Sequence, residues 1–363
     1  MTDAVDPALQ GLGVDPAGLD RAVELVRARG AVAQLCVLHR GEVVLDRTFG
    51  CTPEALFWVF SVSKPFTALL VHLLAERGLI GLDDPVARYW PEFGQAGKQD
   101  ITVRHVLQHR AGLPVVRGMT RDALAATSWR RSVRAIERAR PSMPPGQGPA
   151  YHVLSYGFIL GELVQRVTHE DLRDVLRTEL LDPLGLVDTH LGLPDALWSR
   201  HVPVQVEGDR RLIGEVAFNL RATRRAVIPA AGISTTARDL ARFYEMLRRG
   251  GELDGVRVLA ASTVAEATTP SSDGEIDQYL RVPIRWSQGF QLGGASPDSR
   301  RPRAMGRLSS PTTFGHNGSN CCVGWADPVR ELAFAYLTNL LPGGVGGSLH
   351  QSDVSDAVLS AFD

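Results

Sequence analysis

Lysine is nearly absent from this sequence. Of 39 Lys and Arg residues, only Lys64 and Lys98 are lysine, although either cation serves on a solvated surface. A G+C-rich coding sequence explains the arginine excess but not why one position keeps an amine. Cysteine is also scarce, with only Cys36, Cys51, Cys321 and Cys322. The N-terminal "MTDAVDPALQGLGVDPAGLD" is acidic, with no basic start and no apolar core of a signal peptide. The four cysteines are therefore expected to be reduced thiols in a cytoplasmic protein. Cys321 and Cys322, adjacent on an expected strand, would face opposite sides, which suits a disulfide badly. No apolar run approaches membrane-spanning length, and no block of like charge occurs in a chain of net charge −1. Nucleic-acid and membrane partners are not expected. There is no internal repeat, no G-x-G-x-x-G after a strand and no G-x-S-x-G, which removes dinucleotide-binding and α/β-hydrolase readings.

What is present suffices for a large core: 363 residues, 44% of them hydrophobic. Residues 16–29 carry apolar positions at helical spacing and stop at Gly30. Two β-rich runs flank "HRGE", a hairpin signal. A strongly apolar helix is predicted from Phe66 to Arg77, stopped by Gly78. Residues 82–225 alternate helical patterns with Pro/Gly loops. "TARDLARFYEMLRRGG" is another amphipathic helix. The C-terminal part turns β-rich in "WSQGFQL", "TTFGHNG", "CCVGWADP" and "ELAFAYLTNL", with a turn at Asp327–Pro328 and a last helix over 348–362. Strands at both ends and helices between predict an α/β protein of the α+β type: one antiparallel sheet flanked by helices. The domains expected are 1–81 with 226–363 for the sheet and 82–225 for a helical insertion, with the active site in the cleft between.

The chemistry concentrates in "FWVFSVSKPFTALLVHLLAERG", residues 57–78. Ser61 and Lys64 stand three apart at a helix start, on one face. A serine needs a base beside it to become a nucleophile. An ammonium with a pKa near ~10.4 cannot accept a proton, but burial against Phe57, Phe60 and Phe66 would lower that value. Arginine cannot be deprotonated, so it cannot hold such a position. Ser63 is a rival nucleophile, pointed elsewhere by its spacing. The structural alternative is a serine cap with a snorkelling lysine. Tyr151, after a Pro/Gly loop and before the helix of "SYGFILGELVQRVT", can project a hydroxyl into a cleft, or simply anchor the loop. His316, Asn317 and Gly318 lie on a predicted strand where glycine allows a backbone or ligand close, or where the strand bulges. His105 and His109 stand i, i+4 in "HVLQH", but Val106 replaces the glutamate of H-E-x-x-H and no third ligand is apparent. No metal is expected, and His109 is expected to pack against the active-site loop.

In order, these segments resemble the serine β-lactamase and penicillin-binding-protein superfamily, in its class C-like branch of esterases and transacylases. Ser61-Val62-Ser63-Lys64 matches S-x-x-K, Tyr151-His152-Val153 matches Y-x-N or Y-x-S, and His316-Asn317-Gly318 matches K-T-G or H-x-G. "GLIGLDDPVARYWPEF", "ITVRHVLQHRAGLP" and "STTARDLARFYEML" resemble the linking phrases, so the likeness spans roughly 20–340. The resemblance implies that Ser61 attacks an acyl carbonyl, that Lys64 and Tyr151 transfer protons, and that Ser61 and Ser319 N–H groups form the oxyanion hole. It implies supporting or substrate-binding places for His152, Val153, His316, Asn317 and Gly318, with His316 donating to Tyr151 or to a substrate carboxylate. No cofactor is implied. Val153 replaces the amide-holding Asn and His316 the fixed cation, which points away from β-lactams and peptides. An intracellular esterase of Ser-Lys-Tyr type is expected. The alternatives are a transacylase passing an acyl group from an ester or thioester donor to an amine or hydroxyl acceptor in natural-product biosynthesis, then a β-lactamase or D-amino peptidase, and a catalytically silent scaffold. The expected partner is a small acyl substrate, with an acyl acceptor or carrier for transfer. The loops that decide this are 115–150, 195–230 and 267–312. The Arg-rich "RGMTRDALAATSWRRSVRAIERARP" and "SRRPRAMGRL" either meet an anion or form a solvated face.

Overall fold

The structure is a computed structural model that describes residues 14–208, 211–296, 303–343 and 346–362. The N-terminal stretch before residue 14 and Ser299–Pro302 of the second Arg-rich segment lie outside the described residues.

Six antiparallel strands form the main sheet. They are β1 (Ala33–His39), β2 (Glu42–Phe49), β3 (Gln291–Leu292), β4 (Phe314–Gly318), β5 (Cys322–Asp327) and β6 (Leu332–Thr338), in the order β2-β1-β6-β5-β4-β3. Both ends of the chain thus build one sheet, and β1 pairs with β6 from Ala33↔Thr338 to His39↔Leu332. The "HRGE" turn works because Arg40 and Gly41 take positive φ, as a two-residue hairpin requires. At the β5–β6 turn the buried Asp327 carboxylate accepts from Val329 and Arg330 N–H.

All seven residues of β1 and of β6 are buried, so the central strands are covered on both faces. On one face Leu35, Val37, Trp325 and Phe334 pack with α1 (Pro16–Ala28), through Leu19, Val23 and Val26. The opposite face, through Cys36, Leu38, Cys322 and Ala335, joins the larger core. That core holds α2 (Lys64–Glu76), α3 (Val103–Leu107), α4 (Ser155–Thr168) and α5 (Ala237–Arg248). The last helix, α6 (Gly346–Ser360), packs beside α1 and buries Val354, Val358 and Leu359. Among the described residues no helix is long and apolar enough to cross a membrane.

The predicted helix over 66–77 begins two residues earlier, at Lys64, and a 3-10 turn, Phe60–Ser63, leads into it. "WSQGFQL" yields only the two-residue β3. Cys321 is not on a strand: it closes the β4–β5 turn, and both Cys321 and Cys322 face the larger core. All four cysteines are free thiols, with Cys321 Sγ 3.9 Å from Cys322 Sγ.

Candidate active site

Ser61 sits in the 3-10 turn, one residue after Phe60, whose φ of 49° is costly for a side chain with a Cβ. Trp58 stacks on Phe60 with centroids 4.8 Å apart. Ser63, the rival nucleophile, is fully buried; it donates to Phe60 O at 2.6 Å and accepts from Ile233 N at 3.0 Å. It ties the turn down and leaves Ser61 facing the cleft.

Lys64, at the first position of α2, has no exposed surface. Its Nζ lies 3.1 Å from Ser61 Oγ, 2.9 Å from Val153 O and 3.2 Å from Ala230 O. Ala230 can come that close because α4 presents Gly157 to it: a Cβ there would meet Ala230 N at 2.2 Å. Burial drives the Lys64 amine well below its ordinary value, and none of those three partners carries a charge to offset it. A neutral amine fits them: two N–H bonds serve the carbonyls and the lone pair faces Ser61 Oγ.

Tyr151 donates from its hydroxyl to Ser61 Oγ at 2.7 Å. Its ring lies under Lys64 Nζ, 4.7 Å from the centroid. Burial first, with the Asp277 charge adding to it, pushes the phenol above its usual value, while the Ser61 hydrogen bond pulls the other way. The phenol is therefore a proton-holding group at neutral pH.

The hairpin of β4 and β5 reaches the same place. Gly318 lets it approach the 3-10 turn that carries Ser61: a Cβ at 318 would lie 2.1 Å from Val59 O. Ser319 and Asn320 follow with φ of 50° and 58°. Asn317 holds this tip, donating from Nδ2 to Asn320 Oδ1 at 2.7 Å and accepting from Asn320 N at 2.8 Å.

Ser61, Tyr151, Val153, Asn317 and Ser319 line one cleft of about 620 Å³. Its walls are Leu280–Ile284, Leu292 and Ala304–Met305, with Arg281 and Arg303 the charged groups among its described lining. Of the three loops expected to shape the pocket, 267–312 forms this wall; among the described residues, none of 115–150 or 195–230 lines it. A larger hollow of about 730 Å³ lies elsewhere, around His39 and Phe362; it lacks a lysine, and its Arg40 and Glu331 pair with each other.

The two histidines of the motifs stand behind this cleft. His316 is buried, with Nδ1 2.7 Å from Asn317 O and Nε2 without a partner among the described residues. Burial, with Lys64 second, brings it down to about 3, so it is a neutral imidazole. Nδ1–H donates to the carbonyl, and Nε2 then has no proton to give to Tyr151 or to a substrate carboxylate. His152 accepts from Leu113 N through Nε2 at 3.1 Å, and its backbone N–H donates to His109 Nδ1 at 3.1 Å. His109 packs 4.9 Å from the Tyr151 ring, against the active-site loop as expected. His105 instead caps α3, accepting from Thr102 N at 3.2 Å, so these two histidines serve different elements.

Two further residues touch Tyr151 that the motifs did not identify. Trp286 stacks on its ring, 5.3 Å between centroids with planes 5° apart. Asp277 accepts its backbone N–H at 2.9 Å. No spacing signals Asp277; Trp286 opens the "WSQGF" run, which reads from sequence only as a strand.

The chain is 34% identical to an esterase/beta-lactamase, LipL, of Mycobacterium tuberculosis, over 78% of this chain and 69% of that protein. Its backbone matches a family VIII carboxylesterase with a TM-score of 0.83 at 26% identity, covering 99% of both chains. It matches a penicillin-binding protein homolog from Caulobacter crescentus with a TM-score of 0.81 at 28% identity, covering 96% of this chain and 98% of that one. The Beta-lactamase family model matches residues 19–356. The chain is a member of the Beta-lactamase family, within it a serine hydrolase or acyltransferase.

Proposed function

We propose that this protein hydrolyses carboxylic esters through an acyl-enzyme on Ser61, with Lys64 as the base and Tyr151 as the proton relay. The observation that carries the reading is the shared hydroxyl: Ser61 Oγ lies 3.1 Å from Lys64 Nζ and 2.7 Å from the Tyr151 hydroxyl. Burial makes the amine an acceptor and keeps the phenol protonated, so the base is Lys64. Ser61 Oγ attacks the ester carbonyl as its proton passes to Lys64 Nζ. The proton then travels from Nζ, through the Tyr151 hydroxyl, to the departing alkoxide. The N–H groups of Ser61 and Ser319 receive the oxyanion at the tip that Gly318 brings close. Water then releases the acid, with the same groups in reverse roles.

The esterase names of LipL and of the family VIII carboxylesterase support the ester class. The apolar wall of Leu280, Val282, Ile284, Leu292 and Met305 suits an acyl or alkyl chain. Val153 offers the cleft no amide, and His316 offers it no charge, which disfavours β-lactams. A transacylase uses the same acyl-enzyme with an alcohol or amine in place of water. The free thiols agree with a cytoplasmic location.

Incubation with p-nitrophenyl butyrate should add one butyryl group to Ser61 by intact mass, and Ser61→Ala should abolish it. Turnover without any Ser61 adduct, even after rapid acid quenching, would refute the mechanism. Nitrocefin turnover as fast as ester turnover would refute the substrate class. Product analysis with added alcohol separates hydrolysis from transfer.

A further inference from the structure

We infer that Asp277 is a positioning residue for the proton relay: its buried carboxylate fastens the Tyr151 backbone and the Trp286 indole together, holding the phenol against Ser61. The inference rests on the reading of Tyr151 as relay.

Asp277 has no exposed surface. Its hydrogen bonds come from neutral N–H donors: Tyr151 N at 2.9 and 3.1 Å, Tyr279 N at 2.9 Å, Leu280 N at 2.8 Å and Trp286 Nε1 at 3.1 Å. A buried carboxylate is stable only when its oxygens are so occupied, and donors aimed at one point are fixed relative to one another. Two of those donors define the phenol's place. The Tyr151 N–H sets the backbone from which the side chain springs. The Trp286 N–H sets the indole on which the ring lies flat, and His109 contacts the same ring. The remaining two donors, Tyr279 N and Leu280 N, belong to the turn that forms the cleft wall. Asp277 N donates to Val282 O, and Arg281 N to Asp277 O, closing the turn that presents Leu280–Ile284 to the substrate. Gln278 N donates to Pro149 O, fastening this turn again beside Tyr151. One carboxylate thus joins the relay to the wall of the substrate cleft.

The oxygens divide the work. Oδ1 receives Tyr279, Leu280 and Tyr151, and Oδ2 receives Trp286 and Tyr151. Asp277→Asn keeps the size and, with its oxygen on the three-donor side, sets an NH₂ against the Trp286 N–H. Trp286→Phe removes that opposing donor and keeps a ring against Tyr151. A clamp acting through Trp286 therefore predicts rescue: the double variant is faster than Asp277→Asn alone.

The test is p-nitrophenyl butyrate hydrolysis with Ser61 acylation followed by mass, alongside thermal melting. Asp277→Asn should lower the acylation rate roughly 10- to 100-fold, the loss expected for a charge-assisted hydrogen bond, with KM within about twofold. Trp286→Phe should lose less, and Asp277→Asn/Trp286→Phe should recover part of the rate. A folded Asp277→Asn protein at the wild-type rate overturns the clamp, as does a double variant no faster than Asp277→Asn. If Asp277→Asn does not fold, Trp286→Ala decides: a tenfold or greater fall in acylation supports the clamp, and a wild-type rate overturns it. A wild-type protein that never acylates Ser61 overturns the functional reading and the clamp together, whereas an active wild type with indifferent variants overturns the clamp alone.

Discussion

Replacing Lys64 by arginine and by methionine separates charge from proton transfer. The amine is enclosed by Ser61 Oγ, Val153 O and Ala230 O, with no exposed surface. Arginine keeps a cation there but cannot take a proton. Methionine keeps the apolar stem, provides no base, and leaves two carbonyls without a donor at about 1–3 kcal/mol each. Both variants should lose ~10²–10⁴-fold in kcat/KM, the usual weight of a general base. The wild-type pH profile gives the sign. With Lys64 as the proposed base the working form is the neutral amine, so kcat/KM should rise with pH through the lowered Lys64 ionisation and reach its plateau well short of the ordinary ~10.4. Stability follows the same group. The unfolded chain protonates this amine more readily, so the folded state gains stability as pH rises from the folded ionisation to the unfolded one. Lys64→Met should lack that slope in urea titrations at stepped pH. An arginine variant within tenfold of wild type, or a rate still climbing at pH 10, would contradict the assignment of Lys64 as base.

Tyr151→Phe removes the hydroxyl 2.7 Å from Ser61 Oγ and leaves the stack on Trp286, so kcat should fall ~10²-fold or more with little change in melting temperature. A large loss of stability instead would mark the phenol as structural. Gly318→Ala puts a methyl against Val59 O and must displace the hairpin tip; a shift of ~1 Å at such a site costs ~10²-fold in rate. A wild-type kcat for Gly318→Ala would remove Ser319 N–H from the oxyanion pocket. His316, held down to about 3 by burial, should show no imidazole titration between pH 5 and 8 by NMR; a chemical-shift step in that range would contradict its burial.

The parts of this molecule legible in the sequence are those with a local physical signature. The hairpin at Arg40–Gly41, the Asp327 turn and the amphipathic helices each follow from residues within a few positions of one another. So does the Ser61–Lys64 pair, because one turn of chain sets its spacing. The 3-10 turn was not legible, since Phe60 takes its φ of 49° only under tertiary packing with Trp58 and Phe218. Cys321 reads as strand in the sequence because a β-rich run shows no break where a turn of non-glycine residues interrupts it. His316 looked like a titratable substitute for a cation. Its role changed with depth, as burial that sequence does not reveal made it neutral. Asp277 and Trp286 carry no motif at all; both bear on Tyr151, more than a hundred positions away.

The second lysine shows what distinguishes the proposed base from a buried strut. Lys98 is also without exposed surface, and burial lowers it to about 8. Its Nζ donates to Gln95 O at 2.7 Å, Glu137 O at 2.9 Å and Ala139 O at 2.6 Å. An ammonium has three N–H bonds, and three carbonyls use all of them, so at neutral pH nothing favours a free lone pair. At Lys64 one of the three acceptors is a hydroxyl, which can itself donate, and the neutral form then fits as well as the charged one. The chain therefore holds lysine only where a buried amine meets three polar partners, and the identity of the third partner decides the chemistry. Lys98→Met should orphan three carbonyls and destabilise the fold by about 3 kcal/mol or more, while kcat for p-nitrophenyl butyrate stays within about twofold of wild type in the folded fraction. A loss of kcat at Lys98→Met as deep as at Lys64→Met would show that amine burial alone, rather than the hydroxyl of Ser61, explains why the two lysines were kept.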